Sequence, residues 1–239
     1  EETTGLGLGE PVYGTGHPLS MVLGPGLIGK TFDGTQRPLD KLYDLWGIFI
    51  ERGETPDVLD MEKQWEMDPV VKVGDQVHPG ECFGKTQETE LIEHRLLVPH
   101  GVDGEVVEII EKGPHSLQET LLTIKDREGK EYAVNGVQRW PVRSARPVRN
   151  RKPPAVPLVT GQRVIDTFFP IAKGGTASIP GPFGSGKTVT QHNLAKWSDA
   201  DIIIYVGCGE RGNEMAQVLE EVPELKDPWS GQPLMARTI

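Results

Sequence analysis

Eight residues in the second half of the chain limit its fold more than any others. Gly181-Pro182-Phe183-Gly184-Ser185-Gly186-Lys187-Thr188 fits the pattern G-x-x-x-x-G-K-[ST], a loop that wraps phosphate groups. Its context is as informative as its letters. Thr176-Ala177-Ser178-Ile179 predicts a short strand ending at Pro180, and Val189 to Trp197 predicts a helix with Thr190, Leu194 and Trp197 on one face. A strand–loop–helix order lines up backbone N–H groups at a helix N-terminus, where they lack intrahelical partners and the dipole favours negative charge. The glycines allow the chain to close around phosphates. Residues Gly181 through Val189 are thus the expected cradle, with Lys187 supplying a compact positive charge and the Thr188 hydroxyl suited to ligate Mg²⁺. The plain alternative, a glycine-rich turn with an accidental lysine, leaves the strand–helix context unexplained. A bound nucleotide is the expectation.

Composition narrows the rest. A chain of 239 residues has room for one large domain or two modest ones, and 29 Gly with 20 Pro point to many turns and short strands. A net charge of −10 opposes a general nucleic-acid binder, which would present a basic face. Cys82 and Cys208 lack the spacing of a disulfide framework or a zinc site, and Cys208 is expected to be a small buried residue. The six histidines show no metal-ligand pairing. No apolar run approaches the roughly 20 residues that would span a bilayer, and no signal-peptide pattern is present. Because residue 1 is Glu, and Arg237-Thr238-Ile239 looks like the opening of a further strand, the chain reads as a piece of a longer polypeptide.

Along the chain, Glu10 to Gly24 suggests the last strands of a small β-unit, and Pro38 to Trp46 a short helix with Leu39, Leu42 and Trp46 on one face. From Pro69 to Trp140 the pattern is β: Val70 to Val73, Leu96 to Val98, Glu105 to Ile110, Thr120 to Ile124 and Glu131 to Val134, with Lys125 to Lys130 as a hairpin loop. Arg139 to Lys152 is basic and runs into Pro147, Pro153, Pro154 and Pro157, which reads as a solvated, stiff linker in preference to a docking surface. Beyond it strand and helix alternate, the signature of a parallel α/β sheet covered on both faces.

Asp201 to Val206, a continuous apolar run after its first residue, predicts the next strand, buried on both faces and ending at Gly207-Cys208-Gly209-Glu210-Arg211-Gly212. Ligands of parallel sheets bind where the strands end, so Glu210 and Arg211 should emerge at the same rim as Lys187. There a carboxylate can orient a water against the γ-phosphorus, and a guanidinium can hold the carboxylate or a phosphate oxygen. An ordinary strand-end ion pair is the competing reading. The helix opening at Asn213 should bury Met215, Val218, Leu219 and Val222 as core.

Taken together, Gly181–Thr188 and Tyr205-Val206-Gly207-Cys208-Gly209-Glu210-Arg211-Gly212-Asn213-Glu214-Met215 closely resemble the catalytic A subunit of V/A-type rotary ATPases. Leu23–Gly26, Asp33–Leu39, Trp140–Arg143, Thr160–Asp166 and Lys173–Thr176 extend the resemblance nearly end to end. It implies a P-loop NTPase, RecA-like parallel sheet at 146–239, preceded by a β-rich, barrel-sandwich-like bulge at 25–145 and the end of an N-terminal β-barrel at 1–24. It implies ATP or ADP with Mg²⁺ as ligands, Lys187, Glu210 and Arg211 as catalytic groups, and Glu210 as general base. It further implies B subunits alternating with this one in an A3B3 ring, each lending an arginine finger in trans, with central and peripheral stalk subunits. The expected location is the cytoplasmic face of a membrane, touched only through a membrane sector. Ser185, where eukaryotic members usually carry Cys, suggests a bacterial or archaeal version.

Two rivals come from other classes. Val73 to Glu81, Val98-Pro99 and Gly104-Glu105-Val106 look like the half-repeats of biotinyl and lipoyl carrier domains, but Leu91 stands where the modified lysine would be. A P-loop kinase would share the loop, yet no acceptor site or lid is visible, and Glu210-Arg211 favours water as nucleophile.

Overall fold

The computed structural model describes the chain apart from residues 1–4, 6, 15, 51–54, 147, 149, 151 and 183. Strand β1 (Ser20–Leu23) is followed by helix α1 (Leu39–Trp46), and nine strands then run to residue 141. These are β2 (Trp65–Pro69), β3 (Gln76–Val77), β4 (Cys82–Gln87), β5 (Glu93–Leu97), β6 (Gly104–Ile109), β7 (Gly113–His115), β8 (Leu122–Lys125), β9 (Glu131–Val134) and β10 (Gln138–Pro141). The remainder holds β11 (Pro157–Leu158), α2 (Arg163–Phe168), β12 (Ile171–Ala172), α3 (Lys187–Trp197), α4 (Gly212–Glu224) and a 3₁₀ turn at Leu234–Arg237.

The β-rich half consists of two four-stranded antiparallel sheets, ordered β5-β4-β2-β7 and β3-β6-β8-β9. Alternation along the strands builds its core: Trp65 and Met67 of β2, Phe83 of β4, Val106 of β6, Leu122 and Ile124 of β8 and Val134 of β9 are buried together. The β8–β9 hairpin matches expectation. The Asp126 carboxylate accepts the N–H groups of Glu128 and Lys130 at 2.9 Å each, and Gly129 takes φ 87°. Val70 to Val73, by contrast, is not a strand; the ladder lies just before it, at β2, and Gly74 at φ 94° turns the chain there. Strands β3, β4 and β7 carry too few alternating apolar residues to announce themselves.

Gly104 is fixed by sheet geometry. A Cβ built there would overlap the Lys125 carbonyl on the neighbouring strand, and backbone cannot swing aside as a side chain can. Gly104→Ala should therefore lower the stability of the sandwich by about 1–3 kcal/mol or more, read as an earlier urea midpoint.

β1 pairs antiparallel with β10, Ser20 opposite Pro141 and Leu23 opposite Gln138. The start of the expected linker, Arg139 to Pro141, is thus strand, and Arg146 then stacks 4.6 Å over the Trp140 ring. From Val142 to Ser144, and again from Lys152 to Pro157, the stretch is largely exposed as expected; Pro147 and positions 149 and 151 lie outside the described residues. In α1 Leu42 is buried and Leu39 and Trp46 are half-buried, as the spacing predicts.

The second half departs most from expectation. Thr176 to Ile179 forms no ladder and is largely exposed, because its small side chains offer no apolar face to pack. The Ile202 to Val206 run has one β-neighbour among the described residues. Ile203 bridges Thr238 in parallel, with Ile203 N–H to Arg237 O at 2.8 Å, Ile239 N–H to Ile203 O at 2.9 Å and Tyr205 N–H to Ile239 O at 2.9 Å. Burial on both faces is not seen: Ile203 is buried, while Ile204 is 68% and Val206 77% exposed. A strand is covered on two faces only where layers pack on each.

Candidate functional site: a glycine loop at a helix start

Gly181 leads into the loop, and a Cβ there would overlap the Ser185 hydroxyl. That hydroxyl donates to the Pro182 carbonyl at 2.8 Å, closing a tight turn. Gly184 and Gly186 take φ values of 78° and 84°, a region costly for residues with a Cβ. Gly186 is the N-cap of α3 and offers no side-chain acceptor to the first-turn N–H groups. Its carbonyl accepts both the N–H and the hydroxyl of Thr190, each at 2.9 Å.

Lys187 occupies the first helical position, and its ammonium folds back over the loop to donate to the Gly181 carbonyl at 2.7 Å. Thr188 follows, half-buried, and Val189 is exposed. Phe183 lies outside the described residues. The described loop contains donors and no carboxylate, so its chemistry suits a polyanion. A nucleotide's phosphates fit this donor set, with the lysine exchanging a neutral carbonyl for a charged oxygen.

Glu210 lies in the turn before α4 and faces a later part of α3. It borders a cleft of about 380 Å³ with Gln191, Leu194, Ala195 and Ser198 at α3 and residues Ile202 to Val206; none of the described residues from Gly181 to Val189 lines that cleft. Gln191 is four residues past Lys187, so the cleft begins about 6 Å further along the helix axis. Gly207 allows α4 to press against this turn, since a Cβ would overlap the Met215 sulfur. Arg211 is the N-cap residue of α4. Glu210, Arg211 and Cys208 are all exposed, so Cys208 is not the buried residue expected of it. A turn with glycines at 207, 209 and 212 has too little side-chain mass to cover a thiol. On α4 only Val218 is buried; Met215 and Val222 are half-buried and Leu219 is exposed.

Tyr205 ties the strand to α3, its hydroxyl 3.4 Å from His192 Nε2. Burial pushes the phenol's pKa up, and the carboxylates of Glu210 and Glu214 push it further the same way. Among the described residues no group of three or more His, Cys, Asp or Glu could hold a metal ion.

Several supports were not foreseen. The Asp166 carboxylate accepts the hydroxyl and N–H of buried Thr160 at 2.6 and 2.9 Å and the Gly161 N–H at 3.1 Å, which lowers its pKa. Asp199, after α3, receives the Val159 N–H at 3.0 Å and pairs with Lys173 at 2.9 Å. Asp227 and Arg237 form a buried ion pair at 2.7 Å. Of these, Thr160 to Asp166 and Lys173 carried a sequence signal, as parts of matching stretches without an assigned role.

Comparison with known proteins follows the same division. The family model described as "ATPsynthase alpha/beta subunit barrel-sandwich domain" matches residues 56–143. The one described as "ATP synthase alpha/beta family, nucleotide-binding domain" matches residues 161–239, from Gly161 through the loop and Glu210. The A subunit of an A-type ATP synthase from Methanopyrus kandleri is 58% identical over 239 residues, all of this chain and 40% of that protein. Its counterpart of the same name from a Desulfurococcus species is 58% identical, with 41% of its length covered. A V-type ATP synthase alpha chain from Acetivibrio thermocellus is 56% identical, with 40% covered. The chain thus spans about two-fifths of the length of these relatives. Two models of one family meet the sandwich and the loop-bearing half in turn, and the identity to these relatives runs end to end. The chain therefore belongs to the ATP synthase alpha/beta family, in the branch formed by the A subunits and alpha chains of A-type and V-type enzymes.

Proposed function

We propose that the chain is the nucleotide-binding part of a catalytic A subunit that couples ATP hydrolysis or synthesis to H⁺ or Na⁺ transport. The observation that carries this reading is the loop from Gly181 into α3, with Lys187 at the first helical position and two left-handed glycines before it. In this reading residues 146–239 open a RecA-like sheet, with 25–145 as the bulge and 1–24 as the end of a β-barrel. The parallel bridge between Ile203 and Thr238 supports that sheet.

The backbone of Gly181 to Val189, Pro182 and Phe183 included, wraps the triphosphate and presents N–H donors to it, Pro182 having none, and Lys187 neutralises the β- and γ-oxygens. Thr188 would hold Mg²⁺, which when bound would offset charge on the phosphate oxygens. Glu210 orients the attacking water and Arg211 supports the γ-phosphate. The carboxylate is exposed beyond a turn with glycines at 207 and 209, so it can approach as the subunit closes. B subunits of an A3B3 ring supply an arginine in trans, stalk subunits transmit rotation, and the whole lies at the cytoplasmic face of a membrane. Similarity to proteins named ATP synthases favours this over a P-loop kinase.

The test is binding. Lys187→Ala in the full-length protein should weaken ATP at least tenfold, by equilibrium titration with a fluorescent analogue, because one charge-assisted contact is worth about 1.5–3 kcal/mol. Unchanged affinity would remove the loop from nucleotide recognition.

A further inference from the structure

The β4–β5 hairpin reaches from the sandwich to the loop-bearing half. Glu88, just after β4, has a side chain only 3% exposed. Its Oε1 accepts the N–H groups of Gly26, Leu27 and Ile28 at 2.7, 2.9 and 3.1 Å, and its Oε2 meets His94 Nδ1 at 3.0 Å. The next residue, Thr89, donates its hydroxyl to the Ala236 carbonyl at 2.6 Å. The loop that Glu88 holds makes a second attachment one residue on, where the Gly29 N–H donates to the Thr238 carbonyl at 2.7 Å. Ala236 and Thr238 flank Arg237, whose carbonyl receives the Ile203 N–H, and Ile239 extends that pairing to Tyr205. Glu210 lies five residues further along the chain.

Besides this clamp, the strand pair is held by the Arg237 contacts to Asp227 and the Ala200 carbonyl and by Tyr205 against His192. Among the described residues it has a single bridge, and its outer face is exposed at Ile204 and Val206. Segments with few buried contacts open locally at low cost unless something outside them supplies stability. We propose that the hairpin is a brace: Glu88 and Thr89 are positioning residues that hold residues 236–239, and through them the 203–205 strand, so that the turn carrying Glu210 keeps its place against α3. This rests on the reading that Glu210 orients the attacking water. Burial by itself would raise the Glu88 pKa, but the contacts from His94 and the 26–28 backbone outweigh it and lower it.

The experiment uses the full-length protein in its assembled complex, with amide hydrogen exchange and steady-state ATP hydrolysis read side by side. Thr89→Val removes the donor to Ala236 together with the acceptor of the Leu91 and Ile92 N–H groups at 3.3 and 3.2 Å, and Glu88→Ala removes the acceptor of the 26–28 loop. Amides of Ile203, Tyr205 and Ile239 should exchange about fivefold faster in Thr89→Val, the worth of one hydrogen bond, and faster still in Glu88→Ala. Amides of Leu122 to Lys125 in β8 should stay unchanged. The kcat should fall several-fold with KM within twofold, and Thr89→Ser should restore both readouts. Exchange at 203, 205 and 239 within twofold of the parent would overturn the brace; faster exchange with unaltered kcat would overturn its positioning role. If Glu88→Ala does not fold, Thr89→Val decides alone. Glu210→Gln run in parallel separates the two ideas: if that variant still turns over, the reading of Glu210 fails, while exchange still tests the brace.

Discussion

Glu210→Gln in the assembled full-length protein should slow ATP hydrolysis by about 10²–10⁴ while leaving nucleotide affinity close to the parent's. Glutamine keeps the length and the hydrogen-bonding shape of the side chain but cannot take a proton or hold a water as a full negative charge does. On the proposed reading, in which the group acts on the attacking water and not on the bound phosphates, the loss should fall on kcat. In the structure Glu210 is exposed and borders the cleft one turn along α3 from Lys187, outside the donor loop, which is why binding should survive. Single-turnover hydrolysis and analogue binding on the same preparation check it. A variant that retains turnover would remove Glu210 from the mechanism; one that loses binding would assign it to the cradle.

The second large effect concerns stability. Asp227→Asn should destabilise the loop-bearing half by about 3–5 kcal/mol, because it strands the Arg237 guanidinium in a buried position. Arg237 spans the structure there: Nε donates to Asp227 Oδ1 at 3.0 Å, and another guanidinium nitrogen donates to the Ala200 carbonyl just before the 203–205 strand. Its own carbonyl receives the Ile203 N–H. Removing the aspartate's charge should thus loosen the strand that leads to Glu210. The double variant Asp227→Asn, Arg237→Met should recover much of the loss, since an apolar chain of similar length needs no counter-charge. Urea midpoints of the parent, the two single variants and the double variant test this. A double variant no better than Asp227→Asn would show that packing, not charge, holds the site.

Acid should act on the same pair. Burial raises the Asp227 pKa, but the Ser230 hydroxyl and N–H, at 2.6 and 2.8 Å, and the Arg237 guanidinium outweigh it, so the net shift is downward. A carboxyl depressed in the folded state contributes stability above its ordinary value of 3.8, and that contribution is lost as pH falls through the lower folded value. Asp227→Asn should flatten this part of the acid-unfolding profile.

Chemistry written in consecutive residues was legible without coordinates. The loop from Gly181 to Thr188, helix α3, the buried face of α1 and the β8–β9 hairpin all depend on spacing within about a dozen residues. Glycine conformations, helix periodicity and Asx turns are local properties, so letters in order suffice to read them.

Long-range closure was not legible in this way. Nothing in Glu88 distinguishes it from a solvated glutamate on a hairpin; its burial exists only because three amides 60 or more residues away in sequence converge on it. The pairing of β1 with β10, the Asp227–Arg237 pair and the exposure of Cys208 and Ile204 are likewise decided by which surfaces meet. The order of residues settled that a glycine-rich loop with a lysine at its end opens a helix, since left-handed glycines and helix periodicity are local properties. How the carboxylate turn at Glu210 is held depends on packing between distant segments, and sequence alone carries no record of that energy until the chain has closed on itself.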